Sequence, residues 1–366
     1  MSRGLRVLMT ADTVGGVWTY ACELVAALRP LGVEVTLATM GAPLSPAQAR
    51  TAAAAPHTEV FESSFALEWM PDPWRDVDAA GDWLLALAQL TRPDVVHING
   101  YAHAALPFGV PVVSVAHSCV CSWFRAVRHA DAGPEWDEYR ARARRGLRAA
   151  SAVIAPTRAI LAAILGALES DVRGRVILNG RSCEPHPVPK ESFVLSAGRL
   201  WDEAKGLADL DACARMVHWP IRVAGSTVGP AGAEVTAAGV ELLGELDPTT
   251  LASWMSRAAI YALPARYEPF GLSILEAAQA GCALVLGEID SLREIWGTAA
   301  LYVRPGDRDA LAFTLNTLAR DPLRCGVLSS AAKTRARALT PLRMATGYQA
   351  LYQELTGGLD RRVVHA

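Results

Sequence analysis

Short apolar runs alternate with helical segments along most of this chain, and the series occurs twice. The first set of strand-like runs is Arg6–Met9, Val33–Ala38, Val95–Ile98, Val112–Ala116 and Ala152–Ala155, interleaved with helical segments such as Val17–Leu28, Trp74–Leu90, Glu135–Ala149 and Arg158–Leu168. Parallel strands need a long crossover between them, usually a helix, whereas antiparallel strands can be joined by a tight turn. The alternation therefore predicts a parallel sheet with helices on both faces. A second set follows near Phe193–Ala197, Ile221–Ala224, Val240–Leu243, Ile260–Leu263, Ala283–Leu286 and Leu301–Val303, again with helices between. Between the two sets, Arg181–Lys190 reads R-S-C-E-P-H-P-V-P-K, rich in proline and without periodicity, which marks a linker. Two doubly wound, Rossmann-like domains are expected, residues 1–180 and 181–340. Asp307–Ala338 then reads as two surface helices, and 341–356 as a last helix with Met344, Tyr348, Leu351, Tyr352 and Leu355 on one face.

The 366 residues and 51% apolar composition suffice for two domains that each bury a core. A formal net charge of -2 gives no reason to expect nucleic acid as a partner. The first ten residues read as a strand rather than an export signal, and no stretch approaches a membrane span, which leaves only peripheral membrane contact open. Seven irregularly spaced cysteines in such a chain suggest reduced thiols and a cytoplasmic location.

The most specific stretch is Arg266–Gly281, R-Y-E-P-F-G-L-S-I-L-E-A-A-Q-A-G. A Pro and a Gly favour a turn, and good helix formers follow, so a loop feeds a helix start. The unpaired N–H groups of Phe270, Gly271, Leu272 and Ser273, with the helix dipole behind them, would seat an anion such as phosphate. Glu268 lies just before that seat and Glu276 on the second turn, both as hydrogen-bond acceptors. An anion with hydroxyls beside it describes a nucleotide sugar. Glu268 and Glu276, with Pro269-Phe270-Gly271 between them, resemble the signature of the retaining glycosyltransferases of family four. The resemblance implies the two-domain GT-B fold, with the last helix crossing back onto the first domain. It also implies that Glu268 meets the donor sugar hydroxyls and Glu276 the ribose.

Other candidates lie beyond strand ends, where doubly wound sheets bind ligands. Gly15 and Gly16, in D-T-V-G-G-V-W, allow close approach and flexing of the backbone; the resemblance places donor phosphates or acceptor there, and a plain strand-to-helix turn accounts for them equally. No G-x-G-x-x-G follows a strand, which argues against a nicotinamide dinucleotide. In V-V-S-V-A-H-S-C-V-C-S-W, His117 falls at a strand's carboxyl end. The family has a His there beside the donor sugar, commonly followed by Asp where this chain has Ser118. Cys119 and Cys121, read as alternating with His117 along the strand end, do not complete a zinc shell, and no metal site is expected. Arg199 and Lys205, in S-A-G-R-L-W-D-E-A-K-G, suit a diphosphate leaving group, since Arg grips two oxygens and Lys adds a point charge. The family carries both, one residue closer together. The Arg-rich segment Glu138–Ala150 reads as a solvated helix face, and the D-x-D triplets Asp76–Asp78, Asp209–Asp211 and Asp307–Asp309 as helix-start or surface acids. Trp18, Trp123 and Trp201 follow site loops, with core packing their default role.

The expectation is a retaining glycosyltransferase that holds a nucleotide diphosphate sugar on the second domain, takes a saccharide or other acceptor hydroxyl from the first, and reacts in a cleft without metal or cofactor. His117, Glu268, Arg199 and Lys205 are the candidate catalytic residues; Gly15, Gly16, Phe270, Gly271, Leu272 and Glu276 the candidate donor-binding residues. A UDP-sugar is favoured because UDP is common among relatives. A sugar-nucleotide epimerase or a starch-synthase-like enzyme of the same fold is the nearest rival, and a non-catalytic nucleotide-sugar-binding regulator the next.

Overall fold

The computed structural model describes residues 4–54, 59–183, 188–229 and 232–363. The chain divides into two compact units, Met1–Gly180 with Pro341–Ala366, and Arg181–Thr340. Of the expected linker, residues 184–187 lie outside the described residues.

The first unit holds a parallel sheet of seven strands, β1 (Leu5–Asp12), β2 (Val33–Met40), β3 (Glu59–Glu62), β4 (Val95–Ile98), β5 (Val112–Val115), β6 (Ala152–Ala155) and β7 (Gly174–Val176), in the order β3-β2-β1-β4-β5-β6-β7. Its helices are α1 (Gly16–Leu28), α2 (Pro46–Ala54), α3 (Trp74–Thr91), α4 (Val120–Val127), α5 (Asp137–Ala149) and α6 (Arg158–Ala167). The second unit has six parallel strands, β8 (Glu191–Ala197), β9 (Ile221–Ala224), β10 (Glu241–Gly244), β11 (Ala258–Leu263), β12 (Ala283–Gly287) and β13 (Leu301–Val303), in the order β10-β9-β8-β11-β12-β13. Around them lie α7 (Leu207–Cys213), α8 (Pro248–Arg257), α9 (Leu272–Gln279), α10 (Asp290–Trp296), α11 (Arg308–Arg320) and α12 (Pro322–Ala336). The last helix, α13 (Pro341–Val363), belongs to the first unit.

β4, β5, β11 and β12 are buried at every position, and β1 and β8 over most of their length, as a sheet covered on both faces requires. Helices contribute one apolar stripe each. In α11, Leu311, Leu315 and Leu318 recur at helical spacing and pack with Val194, Ile260 and Val285 of the sheet. Met344, Tyr348, Leu351 and Tyr352 form the buried face of α13, whose Gln349 side chain also donates to Leu31 O at 2.7 Å.

Three local expectations are corrected. The edge strands β3 and β7 were not foreseen, having four and three residues and little apolar run to signal them. The strand expected over Val112–Ala116 ends at Val115; Cys119 is the N-cap residue of α4 and Cys121 lies inside that helix, so the two cysteines are not alternate residues of a strand end. Finally, the helix expected from Glu135 starts at Asp137, after a 3-10 turn over Pro134–Trp136.

Strand order reverses between β1 and β4 in one sheet and between β8 and β11 in the other. Loops leaving neighbouring strands at such a point diverge to opposite faces and leave a crevice at the carboxyl ends.

Candidate active site

In the second unit the loop after β8, residues 198–206, carries Arg199 and Lys205, and the loop after β11, residues 264–271, carries Glu268. Tyr261, buried in β11, ties them together. Its hydroxyl lies 3.0 Å from Ala197 O and 2.8 Å from Ser273 Oγ, and accepts the Ala197 N–H at 3.2 Å. The start of α9 is thereby fixed at the end of β8. Arg266 N–H donates to Ala204 O at 2.8 Å, a second link between the loops. Gly206 permits this approach: its φ is 76°, and a Cβ there would stand 2.6 Å from Pro264 O. Gly271, also left-handed at φ 83°, precedes α9, whose first N–H groups receive no side-chain cap. Of the four N–H groups expected to be unpaired there, that of Phe270 is engaged: it donates to Glu268 Oε1 at 3.4 Å, and the ring is buried. Leu272 is the first helical residue.

Both candidate carboxylates, expected as plain hydrogen-bond acceptors, have a cation beside them. Lys205 Nζ stands 2.8 Å from Glu268 Oε2, with side chains only 11% and 12% exposed. Arg181 Nε stands 2.6 Å from Glu276 Oε1, at 20% and 13% exposure. Such pairs fix the orientation of both carboxylates in a shielded setting. Ser291 Oγ, from α10, donates to the backbone carbonyl of Glu268 at 2.6 Å. Arg199 reaches Asp202 at 3.1 Å, lies over the Trp201 ring and is 41% exposed, which makes it the more accessible cation of the two loop residues.

Asp209 lies in the first turn of α7, one of the two places expected for its triplet, but it is no surface acid. It is buried, and it receives Arg266 at 2.8 Å, the Gly306 N–H at 3.2 Å and Arg308 at 3.5 Å. It anchors the loop that presents Glu268. Asp78 pairs with Arg142, and Asp307 caps α11.

In the first unit the hydrogen bonds around Asn99 run through neutral groups, and the Asp12 carboxylate stands at the end of β1, just before the loop that holds Gly15 and Gly16. Asn99, just past β4, donates its backbone N–H to Thr10 Oγ1 at 2.9 Å and its amide nitrogen to Thr10 O at 2.6 Å. Its Oδ1 thus faces two imidazoles, His117 Nε2 at 2.8 Å and His97 Nε2 at 3.2 Å. Both Nε2 atoms must carry the proton, because the atom they face only accepts. His97 then accepts from the Tyr352 hydroxyl at Nδ1, 2.6 Å away, and His117 keeps Nδ1 as an acceptor. Burial pushes both imidazoles down to about 3, with His97 adding to the effect on His117. The Tyr20 ring meets His117 edge-on, with centroids 4.5 Å apart.

The residues just before the two glycines are tied down by hydrogen bonds. Gly15 has φ -175°, an extended conformation open to any residue, and neither Gly15 nor Gly16 is left-handed. Asp12 Oδ1 accepts the Val14 N–H at 2.6 Å, while Thr13 Oγ1 accepts the Ala42 N–H at 2.8 Å. Arginines of α5 are engaged as a solvated face implies, Arg142 with Glu138 at 2.6 Å and Arg144 with Glu169 at 2.7 Å. Trp18 is core, and Trp123 packs on Phe124. Among the described residues no three His, Cys, Asp or Glu side chains are grouped to hold a metal, and no helix is long and apolar enough to cross a membrane.

Residues 14–184 match the family described as Glycosyltransferase Family 4, and residues 191–321 that described as Glycosyl transferases group 1. The chain belongs to the family-four glycosyltransferases. A glycogen synthase of Mycobacterium tuberculosis is 41% identical over 98 residues, which are 26% of this chain and 22% of that protein. A phosphatidyl-myo-inositol mannosyltransferase of Mycolicibacterium smegmatis is 35% identical over 98 residues, 26% of this chain and 25% of that protein. The matched stretch is thus at most about a quarter of either relative's length. Among solved structures, a sucrose-phosphate synthase from Thermosynechococcus elongatus superposes with a TM-score of 0.80 at 18% identity, over 97% of this chain and 100% of that one. An Anabaena protein in complex with UDP and glucose does so at 0.69 and 18%, over 96% and 100%. The shared architecture is the GT-B fold of two Rossmann-like domains.

Proposed function

We propose that this protein is a retaining, metal-independent glycosyltransferase that moves a hexosyl group from a nucleotide diphosphate sugar to an acceptor hydroxyl. The observation that supports this most is the group gathered at the β8/β11 crossing, an uncapped helix start with Arg199 and the Lys205–Glu268 pair beside it. In this reading the diphosphate rests on the N–H groups from Gly271 and Leu272, with Arg199 gripping its oxygens. Glu276 accepts from the ribose and Glu268 from the sugar. Lys205 acts mainly by holding Glu268, since its charge is already answered there.

As the bond between the anomeric carbon and the phosphate oxygen breaks, negative charge grows on the diphosphate, and Arg199 and the helix start favour that state over the ground state. Glu268 is locked to Lys205, a poor situation for a nucleophile. The acceptor oxygen therefore attacks on the face the phosphate leaves, forming the new glycosidic bond and passing its proton to a leaving phosphate oxygen. On the acceptor unit, neutral His117 offers Nδ1 to a sugar hydroxyl.

UDP is the favoured nucleotide, in keeping with the fold relative solved with UDP and glucose. The test is incubation with UDP-, GDP- and ADP-hexoses and a set of saccharide acceptors, reading nucleotide release and, by NMR, the anomeric configuration of the product. Turnover with retention is expected. An inverted product would overturn the same-face mechanism, and binding without turnover would favour a regulator.

A further inference from the structure

Arg181 opens the second unit and lies in the proline-rich linker, to which the sequence assigned no chemistry. Its backbone is fixed on both sides, the N–H donating to Leu339 O at 3.3 Å and the carbonyl accepting from Gln279 Nε2 at 2.7 Å. Its guanidinium holds Glu276 Oε1 at 2.6 Å. Glu276 and Gln279 stand three residues apart on one face of α9, so two side chains of that helix grip this one residue. A carboxylate as shielded as Glu276 depends on such a contact for its orientation, and a reoriented carboxylate is a poorer acceptor for a hydroxyl in a fixed place.

We infer that Arg181 is a positioning residue for the donor's ribose, holding Glu276 in one orientation to accept from the ribose hydroxyls. The inference rests on the reading of Glu276 as the ribose carboxylate. It separates ribose recognition from phosphate recognition, because the helix start at Gly271 and Arg199 do not depend on Arg181.

The experiment measures dissociation constants of UDP, its 2′-deoxy and 3′-deoxy forms and inorganic pyrophosphate, with GDP and ADP sets alongside, for wild type, Arg181→Met, Arg181→Lys and Glu276→Gln. Wild type should prefer the ribonucleotide over at least one deoxy form. Arg181→Met should weaken the ribonucleotide about tenfold, the scale of one charge-assisted hydrogen bond. It should erase that preference and leave pyrophosphate unchanged, while Arg181→Lys keeps part of it. In a Glu276→Gln background, Arg181→Met should cost nothing more. If Arg181→Met keeps the wild-type preference, or weakens nucleotide and pyrophosphate alike, Arg181 only props α9 and the inference fails. A wild type indifferent to both deoxy forms would instead overturn the ribose assignment of Glu276 and the inference with it. Should Arg181→Met not fold, the Arg181→Lys comparison and the double variant decide the matter on the same readouts.

Discussion

Beside the β8/β11 crossing the side chains are ions with partners, Lys205 with Glu268, Arg181 with Glu276, Arg199 with Asp202, and Asp209 with two arginines. Beside the β1/β4 crossing of the other sheet the hydrogen bonds run through neutral groups, from Thr10 to Asn99, to two imidazoles and on to Tyr352. There the imidazoles are held uncharged, and even the buried carboxyl of Glu68, which receives the Tyr101 and Ala102 N–H groups, is pushed up to about 7 by burial. One winding thus carries two kinds of crevice. A departing diphosphate needs charge to meet it, whereas neutral groups whose protons are fixed in place offer directed hydrogen bonds without net charge.

The sharpest way to break this contrast is to remove one ion of a pair. Glu268→Ala should strand Lys205 and destabilise the chain by about 3 kcal/mol, the low end for breaking a buried pair because both side chains retain some exposure. Turnover should fall by at least the roughly 1.5–3 kcal/mol of a hydrogen bond to a charged group. Glu268→Ala with Lys205→Met should recover most of the stability and none of the turnover. Thermal melts and donor turnover check both, and a single variant that melts like wild type would deny the pair its role.

Arg199→Ala should change stability less than Glu268→Ala, since Arg199 is itself 41% exposed and the buried Asp202 keeps the Ala204 N–H. It should lower kcat by about tenfold or more and donor affinity less, because leaving-group charge grows toward the transition state. A loss confined to acceptor KM would move Arg199 out of the diphosphate site. His117→Ala should cut turnover more modestly and leave nucleotide binding intact. A collapsed Tm with normal specific activity would make His117 a packing residue.

The smallest effect is one of pH. His97 and His117 have folded values near 3 against 6.5 ordinarily, so below pH 6.5 the unfolded chain binds more protons and stability falls with pH. Glu68 opposes this: its value rises from 4.5 to about 7, so between those limits the folded chain binds more protons and gains stability as pH falls. From pH 6.5 to 5.5 the net loss should be about 1 kcal/mol or less, becoming about 2 kcal/mol in Glu68→Gln. Denaturant melts at the two pH values measure it, and equal losses in both proteins would place Glu68 outside the balance.

Alternation of apolar runs and helical segments made the doubly wound domains legible, because a buried parallel strand is apolar at nearly every position. Edge strands such as β7 lack that signature, and α4 was hidden because V-V-S-V-A-H-S-C-V continues a strand-like pattern past Val115. Glu268, Glu276 and the helix start could be found from a local motif. Their partners could not, since Lys205 and Glu268 lie 63 residues apart and Arg181 and Glu276 lie 95 apart. Asn99 carried no local signal either, Tyr352 was legible only as part of an apolar helix face and not as a partner of His97, and Asp209 looked like any acid on a first helical turn until its burial was seen.

The central claim, that the charged crevice of the second unit is a nucleoside diphosphate site needing no metal, is tested most directly by a melting-temperature panel with UDP, GDP, ADP, dTDP and NAD, each with and without EDTA. A ligand at about a hundred times its dissociation constant stabilises the folded state by roughly 2.7 kcal/mol, a shift of several degrees. One nucleoside diphosphate, with UDP favoured, should raise the melting temperature, and EDTA should leave that shift in place because the α9 N–H groups and Arg199 supply the positive charge. A response to NAD alone, or one abolished by EDTA and restored by a divalent ion, would contradict the account.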